Sequence, residues 1–246
     1  MKENHKNMDT SKYNTSKTSS PLGRAGVGLK ICGMKYNPME VATLRPDYLG
    51  FIFWEPSARY FDGEIKAIPP DIEKIGVFVD ADISYVLDQI EKYDLQGVQL
   101  HGNETPEYCK ELVEYTGRPD RFLKPVRCIK VFSVKEKFDF SVLKEYEEVC
   151  DYFLFDTKGK LPGGNGYTFD WSLLKNYPSQ KPYFLSGGIG PENVEEIKKF
   201  LQTPESKYCH VLDVNSKFED RPGLKNIEKL EEFIKALGIR QKRNKN

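Results

Sequence analysis

Two reactive side chains in this sequence stand at the ends of short apolar runs. Cys32 sits in Lys30-Ile31-Cys32-Gly33, and Asp156 directly follows Tyr152–Phe155. A thiolate accepts a proton and a protonated carboxyl gives one, so the two are candidates for a general base and a general acid. A free thiol has a pKa near ~8.5 and is mostly protonated at neutral pH. Lys30 lies two residues before Cys32, which on a strand puts both on one face, where the ammonium favours the thiolate. Burial of Asp156 would raise its pKa and keep its proton available. From position alone, a structural thiol and a loop-capping carboxylate remain open alternatives.

A second feature suits an anion. Ser186-Gly187-Gly188-Ile189-Gly190 precedes Pro191-Glu192-Asn193-Val194. Two glycines let a backbone approach an anion closely, and the free amides of the helix that follows attract negative charge. A tight turn without a ligand is the plainer reading. Arg59 carries a fork suited to a carboxylate on a substrate, with a surface salt bridge as the equal alternative. His101 is expected to satisfy a loop hydrogen bond, and Trp54 and Trp171 to pack.

These residues need elements that bring them together. Eight short runs rich in Val, Ile, Phe and Tyr read as strands: Gly28–Cys32, Tyr48–Phe53, Ile75–Val79, Gly97–Leu100, Ile129–Phe132, Tyr152–Phe155, Tyr183–Leu185 and Val211–Val214. Helical spacing predicts helices over Ile83–Lys92, Pro106–Tyr115, Val194–Leu201 and Asn226–Leu237. The segments after the second and sixth strands are weakly patterned. Strand–helix alternation implies a parallel sheet covered by helices. Eight units in a chain of 246 residues point to an α/β fold, a single (β/α)8 TIM barrel with a parallel eight-stranded barrel and outer helices. In such barrels the chemistry sits at the carboxyl ends of the strands, where Cys32, Asp156 and the glycine pair all fall.

Composition narrows the classes. The 37 basic and 37 acidic residues cancel, which leaves no overall basic footprint for nucleic acid. No apolar run is long enough to span a membrane, and the amino-terminal segment lacks the apolar core of a secretion signal, so a cytoplasmic setting is expected. The five cysteines, Cys32, Cys109, Cys128, Cys150 and Cys209, show no close pairing, which favours free thiols. With the three scattered histidines they show no metal-ligand spacing, so no metal is expected. Residues 1–27 read as a flexible polar tail, 28–238 as the catalytic barrel and 239–246 as a basic tail.

Taken in order, the strand ends resemble the phosphoribosylanthranilate isomerase family of tryptophan biosynthesis. The likeness runs from about Leu29 to about Leu237. It is carried by Lys30-Ile31-Cys32-Gly33, Ser57-Ala58-Arg59-Tyr60, Val98-Gln99-Leu100-His101-Gly102 and Leu154-Phe155-Asp156. Gly163-Gly164-Asn165-Gly166, Leu185-Ser186-Gly187-Gly188-Ile189 and Pro222-Gly223-Leu224-Lys225 extend it.

The resemblance implies a cofactor-independent Amadori rearrangement of a small phosphorylated substrate, with Cys32 as general base and Asp156 as general acid. It places the anthranilate moiety on Arg59 and the phosphate on the backbone around Gly187, Gly188, Asn215 and Ser216. From charge balance and the short apolar runs no nucleic-acid or membrane partner is expected, and a monomer or a homodimer would carry the same site residues. Asn215-Ser216-Lys217-Phe218-Glu219 departs from the family's usual Ser-Ser-Gly-Val-Glu-like stretch, and Lys217 would add a cation beside the phosphate. The rival readings are another phosphosugar barrel, such as ProFAR isomerase, which has an Asp where Cys32 stands, or a non-catalytic phosphate-binding barrel.

Overall fold

The computed structural model describes residues 26–117, 124–135, 137–157 and 171–239. Most of the two expected tails, residues 1–25 and 240–246, and the Gly163-Gly164-Asn165-Gly166 segment lie outside the described residues.

Eight parallel strands close into a barrel in strict chain order. They are β1 (Gly28–Cys32), β2 (Tyr48–Ile52), β3 (Glu73–Phe78), β4 (Gly97–Leu100), β5 (Arg127–Val134), β6 (Tyr152–Thr157), β7 (Tyr183–Ser186) and β8 (Cys209–Val214). The ring closes where β1 pairs with β8, setting Lys30 opposite Asp213. All eight expected strands are present, and no end is displaced by more than two residues. The fifth is extended by two residues at both ends.

The covering helices are α1 (Pro38–Thr43), α2 (Ile83–Tyr93), α3 (Pro106–Thr116), α4 (Val194–Leu201) and α5 (Ile227–Leu237). Thr105 caps α3 by accepting from the Tyr108 amide, and Asn226 caps α5 by accepting from the Lys229 amide. Asn226 is therefore the cap of the last helix rather than its first residue. The weakly patterned segments contain no α-helix among the described residues. Residues 53–72 run as turns and irregular chain, where Pro56, Pro69 and Pro70 each remove a helical donor. Short 3-10 turns, Phe140–Tyr146 and Trp171–Asn176, stand where helices would follow β5 and β6.

Alternation along the strands divides the apolar side chains into two cores. Outward residues such as Leu29, Ile31, Leu49, Phe51, Phe153 and Phe155 pack under the helices. Inward residues Tyr48, Ile75, Ile129, Val131, Leu154, Phe184 and Val211 fill the barrel itself. After β8 the chain adds a small antiparallel hairpin, β9 (Glu219–Arg221) and β10 (Leu224–Lys225), turned by Pro222-Gly223. Trp171 is buried against Phe200, ring centroids 5.2 Å apart, as a packing residue should be. Trp54 is not a packing residue: it stands 41% exposed on the irregular segment after β2.

Candidate active site

At the carboxyl ends of the strands a cavity of about 220 Å³ opens. Cys32, Asp156, Gly187, Gly188, Asn215 and Ser216, six of the residues singled out in the sequence, all line it. Gln99, His101 and Asp213 line it with them. The fold brings these together because β1, β4, β6 and β8 each turn an inward side chain into the mouth near their final residues.

Cys32 is buried at the end of β1. Lys30, one inward position below, is also buried, and its ammonium donates to Gln99 Oε1 at 2.7 Å and to Asp213 Oδ2 at 2.8 Å. Burial pushes the Cys32 thiol up, and the neighbouring Lys30 offsets only part of that push. The expected pull of Lys30 toward the thiolate is therefore present but outweighed, because much of its charge is already committed to Asp213. Burial also opposes the charge on Lys30 itself, yet Asp213 beside it holds the ammonium above its ordinary range. Burial raises Asp213 against the pull of Lys30. Its second oxygen, Oδ1, is buried at the edge of the cavity without a hydrogen-bond partner among the described residues.

Asp156 lies across the mouth from β1, on β6. Its side chain is 16% exposed rather than fully buried, and its Oδ2 stands 3.5 Å from His101 Nε2. The other ring nitrogen of His101 lies 3.4 Å from Gln99 Nε2. His101 thus faces the candidate acid, where a loop hydrogen bond was the expectation. Among the described residues no helix is long and apolar enough to cross a membrane.

The glycine turn takes a left-handed backbone at two successive residues. Gly187 and Gly188 have φ of +88° and +69°, a region that strongly favours glycine. Asn193 locks the turn: its Oδ1 accepts from the Gly190 amide at 2.9 Å and its Nδ2 donates to the Gly188 carbonyl at 2.8 Å. Lys217 also lines the cavity, but its ammonium pairs with Glu192 Oε1 at 2.6 Å. It ties the loops after β7 and β8 to each other.

Arg59 is not among the residues lining the cavity, and the Nε/Nη2 side of its fork is taken. Its Nε donates to both oxygens of Glu219, at 2.9 and 3.0 Å, and its Nη2 donates to Oε2 at 2.6 Å. Its fork meets a protein carboxylate because the hairpin after β8 folds back beside the segment after β2.

The structure also gathers residues that spacing could not. The sulfurs of Cys109, Cys128 and Cys150 lie within 4.8 Å of one another outside the barrel wall, the last two 3.7 Å apart. All five cysteines are free and buried. Neither Asp213 nor Gln99 was given a role from the sequence, although a charge at an inward strand position was the available signal for Asp213.

A closed parallel barrel with an acid, a thiol and a glycine-lined turn converging at its carboxyl mouth has the architecture of a (β/α)8-barrel enzyme. The family model for N-(5'-phosphoribosyl)anthranilate (PRA) isomerase matches residues 29–236, and the chain belongs to that family of isomerases. It is 40% identical over 219 residues to the N-(5'-phosphoribosyl)anthranilate isomerase of Parabacteroides distasonis, covering 85% of this chain and 92% of that one. Among solved structures, phosphoribosyl anthranilate isomerase of Thermotoga maritima matches with 30% identity and a TM-score of 0.69, covering 87% of this chain and 99% of that one. Another phosphoribosyl anthranilate isomerase, in complex with reduced 1-(o-carboxyphenylamino)-1-deoxyribulose 5-phosphate, matches with 28% identity and a TM-score of 0.67, covering 87% and 99%.

Proposed function

We infer that this barrel converts N-(5'-phosphoribosyl)anthranilate to 1-(o-carboxyphenylamino)-1-deoxyribulose 5-phosphate, a step of tryptophan biosynthesis. The observation that carries the reading is the meeting of Cys32 and Asp156 in one cavity bounded by Gly187, Gly188, Asn215 and Ser216. In this reading the last four hold the phosphate, Cys32 is the general base and Asp156 the general acid.

Asp156 gives a proton to the furanose ring oxygen, and the ring opens to an iminium at C1'. The iminium acidifies the C2' proton, which Cys32 removes. The electron pair left on C2' flows toward the substrate's own nitrogen, giving an enolamine; a proton then adds at C1' and the proton of the 2'-hydroxyl leaves, which completes the ketone. No electrons enter or leave the substrate. The order of steps suits the electrostatics of the site. The resting thiol is held protonated by burial, and a cationic iminium beside it favours the thiolate at the step that needs a base. Phosphate binding supplies remote anchoring that orients C1' and C2'.

The test is steady-state kinetics on purified protein. Cys32→Ala and Asp156→Asn should each lower kcat by roughly 100-fold or more while the fold is kept. Turnover near wild type in either variant overturns that residue's role.

A further inference from the structure

Beside the cavity stands a chain of buried polar groups that the mechanism above does not use. Glu219 takes the Nε and Nη2 edge of Arg59, and its Oε1 also accepts from Lys225 Nζ at 2.7 Å and from the Gly223 amide at 3.1 Å. Lys225 Nζ donates in addition to the backbone oxygen of Asn215 at 3.2 Å and to its Oδ1 at 2.7 Å. An ammonium has three protons, and here all three have acceptors. The side chain of Glu219 is 4% exposed and that of Lys225 fully buried. The hairpin bearing both is fixed to α1's entry by Asn37. The Asn37 side chain donates to the Lys225 carbonyl at 2.9 Å and accepts from the Lys225 amide at 3.0 Å.

Among the described residues, this arrangement leaves specific donors unspent. A guanidinium offers two carboxylate-binding faces. Glu219 fills the Nε/Nη2 face of Arg59, so the terminal Nη1/Nη2 face remains. Lys225 can only donate, which turns the Asn215 carboxamide oxygen toward it and leaves Asn215 Nδ2 as a donor. Arg59 and Asn215 also come together over the residue after Cys32. A Cβ on Gly33 would lie 2.6 Å from Asn215 Oδ1 and 2.8 Å from Arg59 Cδ, at a φ of +77°.

We propose that Glu219 and Lys225 are positioning residues that set, through one hydrogen-bonded chain, the free face of Arg59 for the substrate carboxylate and the amide of Asn215 for its phosphate. The two ends of the substrate are then held in a fixed relation to Cys32. The inference rests on the reading that Arg59 meets the anthranilate carboxylate and Asn215 the phosphate.

The experiment compares N-(5'-phosphoribosyl)anthranilate with N-(5'-phosphoribosyl)aniline, which lacks the carboxylate, in the wild type, Glu219→Gln and Arg59→Lys. The wild type should prefer the carboxylate substrate in kcat/KM. Arg59→Lys keeps the charge without the fork and should erase most of that preference. Glu219→Gln should cut the preference by about tenfold, chiefly through KM, the size expected for one misaimed hydrogen bond to a charged group. Equal losses on both substrates would mark Glu219 as merely structural and overturn the proposal, as would an undiminished preference. A wild type without any preference would instead overturn the role of Arg59 on which the proposal stands. Should Glu219→Gln fail to fold, Lys225→Met carries the test through the other end. Competitive inhibition by inorganic phosphate should weaken severalfold, and an unchanged inhibition constant overturns the chain.

Discussion

The barrel interior has two halves built from the same eight strands. Toward the amino ends, Tyr48, Ile75, Ile129, Leu154, Phe184 and Val211 pack against one another with no charge among them. Toward the carboxyl ends, Cys32, Gln99, His101, Asp156 and Asp213 line a polar cavity, and Lys30 beneath them binds Gln99 and Asp213. The lower half follows the rule for a core, where apolar side chains fill space, down to the Glu73–Arg127 ion pair at its amino rim. The upper half breaks it, and the break costs desolvation at Lys30, Asp213 and Cys32 alike. Strained or costly local choices concentrate where a fold does chemistry, and the division of this barrel into halves is an instance of that.

The comparison is broken most severely by removing one member of the buried pair. Lys30→Met leaves Asp213 buried and without its partner, and should cost about 3–5 kcal/mol in urea unfolding. The double variant Lys30→Met with Asp213→Leu should recover most of that stability without recovering turnover. Recovery of both would mean the charged half is dispensable. A smaller effect is expected from the apolar half. Leu154 is fully buried there, so Leu154→Ala should lose about 2–5 kcal/mol through lost burial and a residual cavity. Its kcat, read well below the unfolding midpoint, should stay near the wild-type value. A large fall in kcat would show that the two halves are mechanically coupled.

The two halves were unequally legible in the sequence. The strands could be read because apolar, β-branched and aromatic runs recur between turn residues, and Cys32 and Asp156 could be read because they end such runs. Asp213 sits inside one, one residue before its end at Val214, but its partner is Lys30, 183 residues earlier. Only closure of the ring between β1 and β8 brings the two opposite each other. The same holds for Arg59 and Glu219, 160 residues apart. The Arg fork was visible in the sequence, and the carboxylate that fills one of its faces was not. Cys109, Cys128 and Cys150 show the limit most simply, since α3, β5 and the turn before β6 bring together three thiols whose spacing suggests no cluster. Local pattern carries element type and strand ends, while pairings across the barrel wait on topology.

A second comparison lies within the mouth itself, between two ion pairs of similar geometry. Lys30 meets Asp213 at 2.8 Å with both side chains almost wholly buried, whereas Lys217 meets Glu192 at 2.6 Å with both about half exposed. Distance alone would rank the exposed pair higher. Solvent screening and the entropy of two long side chains reverse that order, and exposed pairs are typically worth ~1 kcal/mol or less. Lys217→Ala should therefore shift the unfolding free energy by less than about 1 kcal/mol, the smallest change in this set. Because the ammonium of Lys217 is already turned to Glu192, the KM for the phosphorylated substrate should change little, and raising the salt concentration should shrink even that change. A KM increase of tenfold or more would show that Lys217 leaves Glu192 to meet the phosphate, and the departure of Asn215-Ser216-Lys217-Phe218-Glu219 from the family's usual stretch would then mark an added anion-binding cation rather than a strut between two loops.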